Sequence, residues 1–160
     1  MLYRLYKPED FAALYAIEEL CFQPPFRFGR GYMRQLVLDP ETATWIAEDN
    51  AAMAGFAIVE WGEGKQGPIA YIETLEVLPG RRGQGIGGQL LGRIEASARA
   101  AGVRVIWLHV DEENAAAIRL YEANGYRRQG REENYYPRGR AALSYTKTIE
   151  NQALNLESAG

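Results

Sequence analysis

The sequence contains one cysteine, Cys21, and one histidine, His109, in 160 residues. A lone thiol closes no intrachain disulfide, and a metal site would need ligands other than the usual cysteine and histidine clusters. No metal is therefore expected, and a reducing cytoplasmic setting fits best. Long apolar runs are also missing. No stretch approaches the ~18 residues of a membrane span, and Met1-Leu-Tyr-Arg-Leu-Tyr-Lys7 lacks the extended apolar core of an export signal. The expectation is a protein neither exported nor embedded in a membrane. Lysine and arginine are nowhere massed, and a net charge of −3 gives no positive field for a polyanion, which sets nucleic acid aside as a partner. No internal repeat is visible. What is present, 47% hydrophobic and 24% charged residues, is the balance of a globular domain. The length suits one domain, expected over residues 1–149, with 150–160 as a flexible tail; monomer and homodimer both fit.

Hydrophobic periodicity orders the chain. Leu2 to Tyr6 alternates like a strand, and Pro8-Glu9-Asp10 places a proline and two acids where a helix starts, one that carries Phe11, Leu14, Tyr15, Ile17 and Cys21 on one face. Pro24 and Pro25 forbid a regular element between Phe22 and Gly29, which leaves an aromatic-rich loop before a short amphipathic helix at 32–38. Strands at 44–49 and 54–61 form a hairpin that turns near Asn50, Gly62 to Gly67 reads as a solvated loop, and 69–78 is strand-like again. A helix carrying Ile86, Leu90, Leu91 and Ile94 follows, ended by Gly102. Then come a strand at 103–110, a helix at 115–123 stopped by Gly125, and a strand pair at 126–136 and 141–149. The fold class is α/β (α+β): a mixed, mostly antiparallel twisted sheet of about seven strands with helices on both faces and a central βαβ unit.

The segment Arg82-Gly83-Gln84-Gly85-Ile86-Gly87-Gly88 leads from a strand into a helix. Such a turn aims several backbone N–H groups at one point, and the helix dipole adds positive potential. Gly83, Gly85 and Gly87 are expected to take positive φ and to let a ligand approach the backbone, while Arg81 and Arg82 offer donors to phosphate oxygens. Pyrophosphate is the natural guest. Glycines serving helix packing alone are the plain alternative, yet alternating glycines carry an entropic cost that an ordinary loop does not need. Gly83-x-Gly85-x-x-Gly88 also spells a dinucleotide-binding fingerprint, with Asp111 about 20 residues further on. Against a Rossmann oxidoreductase stand the Pro79–Arg82 insertion before the first glycine, the hairpin ahead of the βαβ unit, and the lack of a second nucleotide-binding half. A Walker P-loop would need a Lys-Ser/Thr pair after the glycines, and none follows.

With Val77-x-Pro79 before it and Leu90-Leu91 after it, Arg82-x-x-Gly85-x-Gly87 resembles the cofactor motif of the GNAT superfamily of N-acetyltransferases. Asn114-Ala-Ala-Ala-Ile-Arg-Leu-Tyr121-Glu-Ala-Asn-Gly125-Tyr126 resembles that family's second hallmark, and together the two blocks cover residues 69–126. The resemblance implies acetyl-CoA (coenzyme A) as cofactor, bound by Arg82, Gly83, Gln84, Gly85, Ile86, Gly87 and Gly88, by the backbone of Leu75, Glu76 and Val77, and by Asn114 and Tyr121. It also implies that Tyr121 is the general acid for the departing thiolate. Asn134-Tyr135-Tyr136-Pro137 and Leu108-His109-Val110 are similar to the protein N-terminal acetyltransferases, the ribosomal-protein-alanine enzymes among them. That narrower likeness implies that Tyr135 and Tyr136, with Phe22, Pro25 and Phe26 of the aromatic loop, grip the first residues of a peptide. The bacterial enzymes of this group carry a glutamate base where this chain has His109, whereas some eukaryotic ones carry histidine.

Acetyl transfer to an amine needs a neutral nucleophile, a place for developing negative charge, and a proton for the leaving sulfur. A free α-amine is about one-tenth neutral at pH 7 and a lysine only about 0.04%, so an α-amine is the easier substrate. His109 lies near the end of an apolar strand, and imidazole titrates in the neutral range, which suits a base; a satisfied core histidine is the bland alternative. Tyr71 and Glu73 share a face of the preceding strand if it is unbroken, and either could hold a relaying water or contact the ammonium; resemblance to the histidine-bearing enzymes favours Tyr71 as the water partner. Tyr121 also fits a plain core aromatic, Asn114 an ordinary helix cap, and Cys21 a packed thiol rather than a covalent carrier. The leading expectation is transfer to a protein or peptide N-terminal α-amine by direct attack in a ternary complex. A small-molecule amine acetyltransferase and a non-catalytic CoA-binding sensor are the alternatives.

Overall fold

A computed structural model describes residues 1–150; the expected tail lies, from residue 151 onward, outside the described residues. The chain runs β1 (Leu2–Leu5), α1 (Phe11–Cys21), α2 (Arg30–Leu38), β2 (Thr42–Asp49), β3 (Ala52–Gly64), β4 (Gly67–Val77), α3 (Ile86–Ala100), β5 (Val105–Asp111), α4 (Ala115–Ala123), β6 (Arg127–Tyr136) and β7 (Arg140–Thr148). This is the order that the hydrophobic periods predict. The strands form one seven-stranded sheet in the order β1-β2-β3-β4-β5-β7-β6. Pairs β1–β2, β2–β3, β5–β7 and β6–β7 are antiparallel, and β4–β5 is parallel with α3 as its crossover. Among the described residues no helix is long and apolar enough to cross a membrane, and no group of three or more His, Cys, Asp or Glu side chains is placed to hold a metal ion.

The expected loop from Gly62 to Gly67 is a finding against the sequence reading. Strand β3 continues to Gly64 and β4 begins at Gly67, so only Lys65 and Gln66 turn the chain. Polar, glycine-rich composition marks exposure rather than irregular backbone, because strand ends exposed to water need no apolar side chains once their backbone groups are paired. Gly64 suits the close approach of the strands, since a Cβ there would lie 2.9 Å from Ile69 Cγ2 and oblige that side chain to shift. The β2–β3 hairpin turns at Asn50 and Ala51 with φ values of 51° and 65°. Two successive positive values match the twist of a tight hairpin.

The described residues form two compact units, Met1–Glu60 with Glu73–Arg93, and Trp61–Ile72 with residues 94–150. In the first, Phe11, Leu14, Tyr15 and Ile17 of α1 pack with Met33 and Leu36 of α2, Ile46 of β2, and Phe56 and Ile58 of β3. Leu14 and Phe56 are wholly buried, and trimming such a side chain to alanine costs about 2–5 kcal/mol. In the second unit β5 alternates: Ile106, Leu108 and Val110 are buried, while Val105, Trp107, His109 and Asp111 face the less enclosed side. Glu95 of α3 accepts hydrogen bonds from Tyr126 (3.1 Å) and Lys147 (2.9 Å), which satisfies a buried carboxylate.

Helix α1 also buries a charge-bearing residue. Glu18 is 1% exposed and Glu76 of β4 is 3% exposed. Glu18 Oε2 accepts the Phe28 backbone N–H at 3.0 Å, and Glu76 Oε2 accepts the Thr74 hydroxyl at 2.8 Å. The remaining oxygen of each carboxyl has no conventional donor, which is what a proton shared between the two carboxyls accounts for. Burial and the neighbouring Glu18 hold the Glu76 carboxyl well above the ordinary carboxylate range. The unfolded chain ionises Glu76 from about pH 4.3, whereas the folded protein keeps the proton. Above that pH the unfolded state binds fewer protons, so stability falls as pH rises. Glu76→Gln keeps the shape and removes the ionisation. The variant is expected to lose less melting temperature than wild type between about pH 5 and 9, and equal slopes in the two proteins would refute the shared proton.

Candidate functional site

Strand β4 ends at Val77, a single 3-10 turn spans Pro79–Arg81, and α3 starts at Ile86. Between them Gly83 and Gly85 have φ values of +80° and +81°, and nothing lies within 4 Å of a Cβ built on either. Arg82, Gly83, Gln84 and Gly85 are exposed, whereas Ile86 and Gly87 are buried. The expectation of positive φ at Gly87 is corrected: Gly87 and Gly88 lie inside α3, and the burial of Gly87 shows a helix glycine used for packing rather than for the turn. The unobstructed glycines and the first N–H groups of α3, which lack partners within a helix, offer backbone donors of the kind that can hold an anion such as a pyrophosphate.

The two arginines brace this turn. Arg81 donates to Asp49 at 2.9 Å and to Gln84 Oε1 at 3.2 Å. Arg82 donates to the Val77 carbonyl at 3.2 Å and to Cys21 Sγ at 3.5 Å. In the same unit Leu75 and Val77 are half-buried beside buried Glu76, beyond the stretch of β4 that pairs with β5, Ile69–Ile72. Glu73 sits next to Glu60 of β3, and burial first, then that neighbour, push its carboxyl up to about 8. Phe22 and Phe26 are half-buried and Pro25 is exposed, in a loop tied to α1 by Tyr15 donating to the Phe28 carbonyl (2.9 Å) and Arg27 donating to the Phe22 and Glu19 carbonyls (3.0 and 3.1 Å).

The second unit gathers His109, Tyr71 and Tyr135. Tyr71 pairs with Trp107 across the parallel ladder, which puts its side chain on the same face as His109 two residues further along. The Tyr71 hydroxyl lies 2.7 Å from His109 Nδ1. The Tyr135 ring stacks on the imidazole with centroids 4.6 Å apart and planes 16° from parallel, and Tyr136 meets Tyr135 edge-on. Strand β6 makes this contact by slipping register between Glu132 and Tyr136, with Asn134 at φ 55°. Burial pushes the Tyr136 phenol up, so it stays neutral. Tyr121 of α4 is buried against Tyr126, centroids 5.8 Å apart. Asn114 caps α4 by accepting the Ala117 N–H at 3.1 Å.

Three neighbours of the candidate residues escape the sequence reading. Glu132 lies 3.1 Å from His109 Nε2; it belongs to a polar run on an edge strand, where nothing in the spacing singles out one acid. Glu60 beside Glu73 is equally hidden, because the partnership crosses strands. Glu18 carried a signal, for it follows Phe11, Leu14 and Tyr15 at helical spacing and so falls on the buried face.

The family model described as "Acetyltransferase (GNAT) family" matches residues 4–126. A curated relative, the [ribosomal protein bS18]-alanine N-acetyltransferase of Escherichia coli, is 36% identical over 88 residues, 55% of this chain and 57% of that protein. Mycothiol acetyltransferase of Thermobispora bispora is 37% identical over 87 residues, 52% of this chain and 30% of that protein. The chain thus spans roughly a third to just over half the length of these curated relatives. Among solved structures, the Escherichia coli ribosomal-protein-S18-alanine N-acetyltransferase superposes with a TM-score of 0.80 at 26% identity, covering 93% of this chain and 94% of that one. Arabidopsis thaliana NAA60, solved with a bisubstrate analogue, gives 0.83 at 22% identity over 94% and 98% of the two chains, a likeness of fold. The family match and the agreement of fold place the protein: the chain belongs to the GNAT acetyltransferase family, whose members are acyltransferases that use acetyl-CoA.

Proposed function

We propose that residues 1–149 act as one acetyltransferase domain that moves an acetyl group from acetyl-CoA to a primary amine, the N-terminal α-amine of a protein or peptide, by direct attack. The observation that carries this reading is the 2.7 Å contact between the Tyr71 hydroxyl and His109 Nδ1, with the exposed ring of Tyr135 stacked on the same imidazole. A proton acceptor with an aromatic surface beside it suits an amine presented on a short peptide. Likeness to the ribosomal-protein-alanine enzyme supports the same acceptor class.

Acetyl-CoA, when bound, supplies an acetyl group activated as a thioester. Backbone N–H groups around Gly83 and Gly85 and at the head of α3 bind its pyrophosphate, with Arg82, Gln84, Ile86, Gly87 and Gly88 shaping the turn. The backbone of Leu75, Glu76 and Val77 and the side chain of Asn114 hold the pantetheine arm. His109, with Tyr71, takes the proton from the attacking amine, and Tyr121 returns one to the departing sulfur. Phe22, Pro25, Phe26, Tyr135 and Tyr136 contact the peptide. Direct attack agrees with the state of Cys21, whose thiol is pushed up by burial and so is a poor acetyl carrier. That single reduced cysteine also fits a cytoplasmic setting.

A second reading gives the base role to Glu73, whose raised carboxyl, at about 8, suits proton transfer near neutral pH. A small-molecule acceptor is the other alternative, favoured by the match to mycothiol acetyltransferase.

Mass spectrometry after incubation with acetyl-CoA, a peptide panel and small amines is expected to find the acetyl group on peptide α-amines. Acetylation of small amines alone would overturn the acceptor, and binding without any turnover would make the protein a CoA sensor. Gly85→Ala forces a side chain to φ +81°, and the resulting strain of about 1–2 kcal/mol is expected to weaken CoA binding roughly tenfold in calorimetry. In rate profiles, His109→Ala is expected to remove the acidic limb while Glu73→Gln retains it; the reverse pattern transfers the base role to Glu73. Tyr121→Phe is expected to slow single-turnover chemistry by about 10²-fold with CoA affinity nearly unchanged, and a wild-type rate would exclude Tyr121 as the acid.

A further inference from the structure

Strand β7 lies between β5 and β6, and its register sets His109 opposite Ser144, Ser144 opposite Gly130, and Ala142 opposite Glu132. Residues opposite one another, and residues two apart on a strand, share a face. His109 and Glu132 therefore stand on one face of the sheet, separated by the small side chains of Ser144 and Ala142 and opposite a glycine, so the Glu132 carboxylate reaches across β7 to the imidazole. On the other side Tyr71 arrives from β4 on the same face. The imidazole is held at both nitrogens, with Nδ1 2.7 Å from the Tyr71 hydroxyl and Nε2 3.1 Å from Glu132 Oε1, while Tyr135 covers one ring face.

We propose that Glu132 is a positioning residue that fixes the tautomer of His109 and thereby makes Tyr71, not the imidazole, the group that meets the substrate amine. This deepens the proposed function and rests on His109 being its base. A carboxylate only accepts hydrogen bonds, so a neutral His109 facing Glu132 carries its proton on Nε2. Nδ1 is then a bare lone pair, and the Tyr71 O–H donates to it. As the amine nitrogen bonds the acetyl carbon, its N–H proton passes to the Tyr71 oxygen while the Tyr71 proton passes to Nδ1. Tyr71 ends neutral as it began, and His109 becomes an imidazolium paired with the Glu132 carboxylate. The arrangement matches the orienting acid, imidazole and hydroxyl of hydrolytic triads, with a phenol in the outer place. Glu132 is half exposed, its side chain at 54%, so its contribution is that of a screened partner rather than a buried one.

Because His109 is the sole histidine, the nitrogen-15 spectrum of the untagged protein shows one imidazole and reads its tautomer directly, with or without a substrate. At a pH where the ring is neutral, the wild-type protein is expected to show a protonated Nε2 and an unprotonated Nδ1. Glu132→Gln replaces the pure acceptor with a group that both donates and accepts, and is expected to shift population toward the Nδ1-protonated form. For whichever amine the wild-type enzyme acetylates, kcat of this variant is expected to fall about tenfold, with KM nearly constant, less than for a buried triad acid. A wild-type ring protonated on Nδ1, an unchanged tautomer in the variant, or an unchanged kcat beside a shifted tautomer would each overturn the proposal. A wrong acceptor assignment leaves the spectrum as expected and shows only in which amine is modified, so the two failures are told apart.

Discussion

Two parallel strands cannot be joined by a tight turn, and the pairing of Ile69–Ile72 with Val105–Leu108 therefore obliges the chain to leave the sheet and return through α3. Much of the candidate site follows from that one ladder. The crossover needs a place to begin, and it begins in the exposed turn where Gly83 and Gly85 take positive φ values that residues with a Cβ adopt only at a cost. The same ladder opposes Tyr71 to Trp107, which sets the phenol on the face of β5 that carries His109. An antiparallel pair at this position would need no α3 crossover and would leave the anion cradle without its helix.

Several buried and half-buried polar groups occur in partnerships. Glu18 and Glu76 are buried together, Glu60 stands beside Glu73, and His109 is flanked by Tyr71 and Glu132. A lone buried carboxyl or imidazole would pay heavily for desolvation, whereas a partner that shares or orients a proton keeps the group inside the fold in a defined protonation state. Arg81 and Arg82 show the same economy on the surface, because each holds the turn from outside through Asp49, Val77 and Cys21.

The sequence made legible what depends on period and local backbone. The order of strands and helices, the buried stripe of α1, and the turn glycines at 83 and 85 all follow from spacing that neighbouring residues enforce on one another. Gly87 misled because a glycine inside a helix spells the same letter as one in a turn, and only its burial tells them apart. The hairpin ends around Gly64 misled because polar composition marks exposure rather than backbone geometry. Glu132 and Glu60 were illegible for a deeper reason: each gains its meaning from a strand pairing, and pairing across a sheet is a property of register that no local pattern carries. Glu18 was readable, since a carboxyl on an apolar stripe announces a buried partner, though the identity of that partner, Glu76, is a tertiary fact.

The loop between α1 and α2 is held by ties to its backbone from α1 and by one of its own side chains, Arg27. Tyr15 and Glu18 grip the carbonyl and N–H of Phe28, and Arg27 closes on the carbonyls of Phe22 and Glu19. Its path is thus set by α1 together with Arg27, and none of these four ties ends on the ring of Phe22 or Phe26. Sequences that vary at the two rings but keep Tyr15, Glu18 and Arg27 therefore keep the bonds that anchor the loop, and its surface is able to drift while its attachment is inherited.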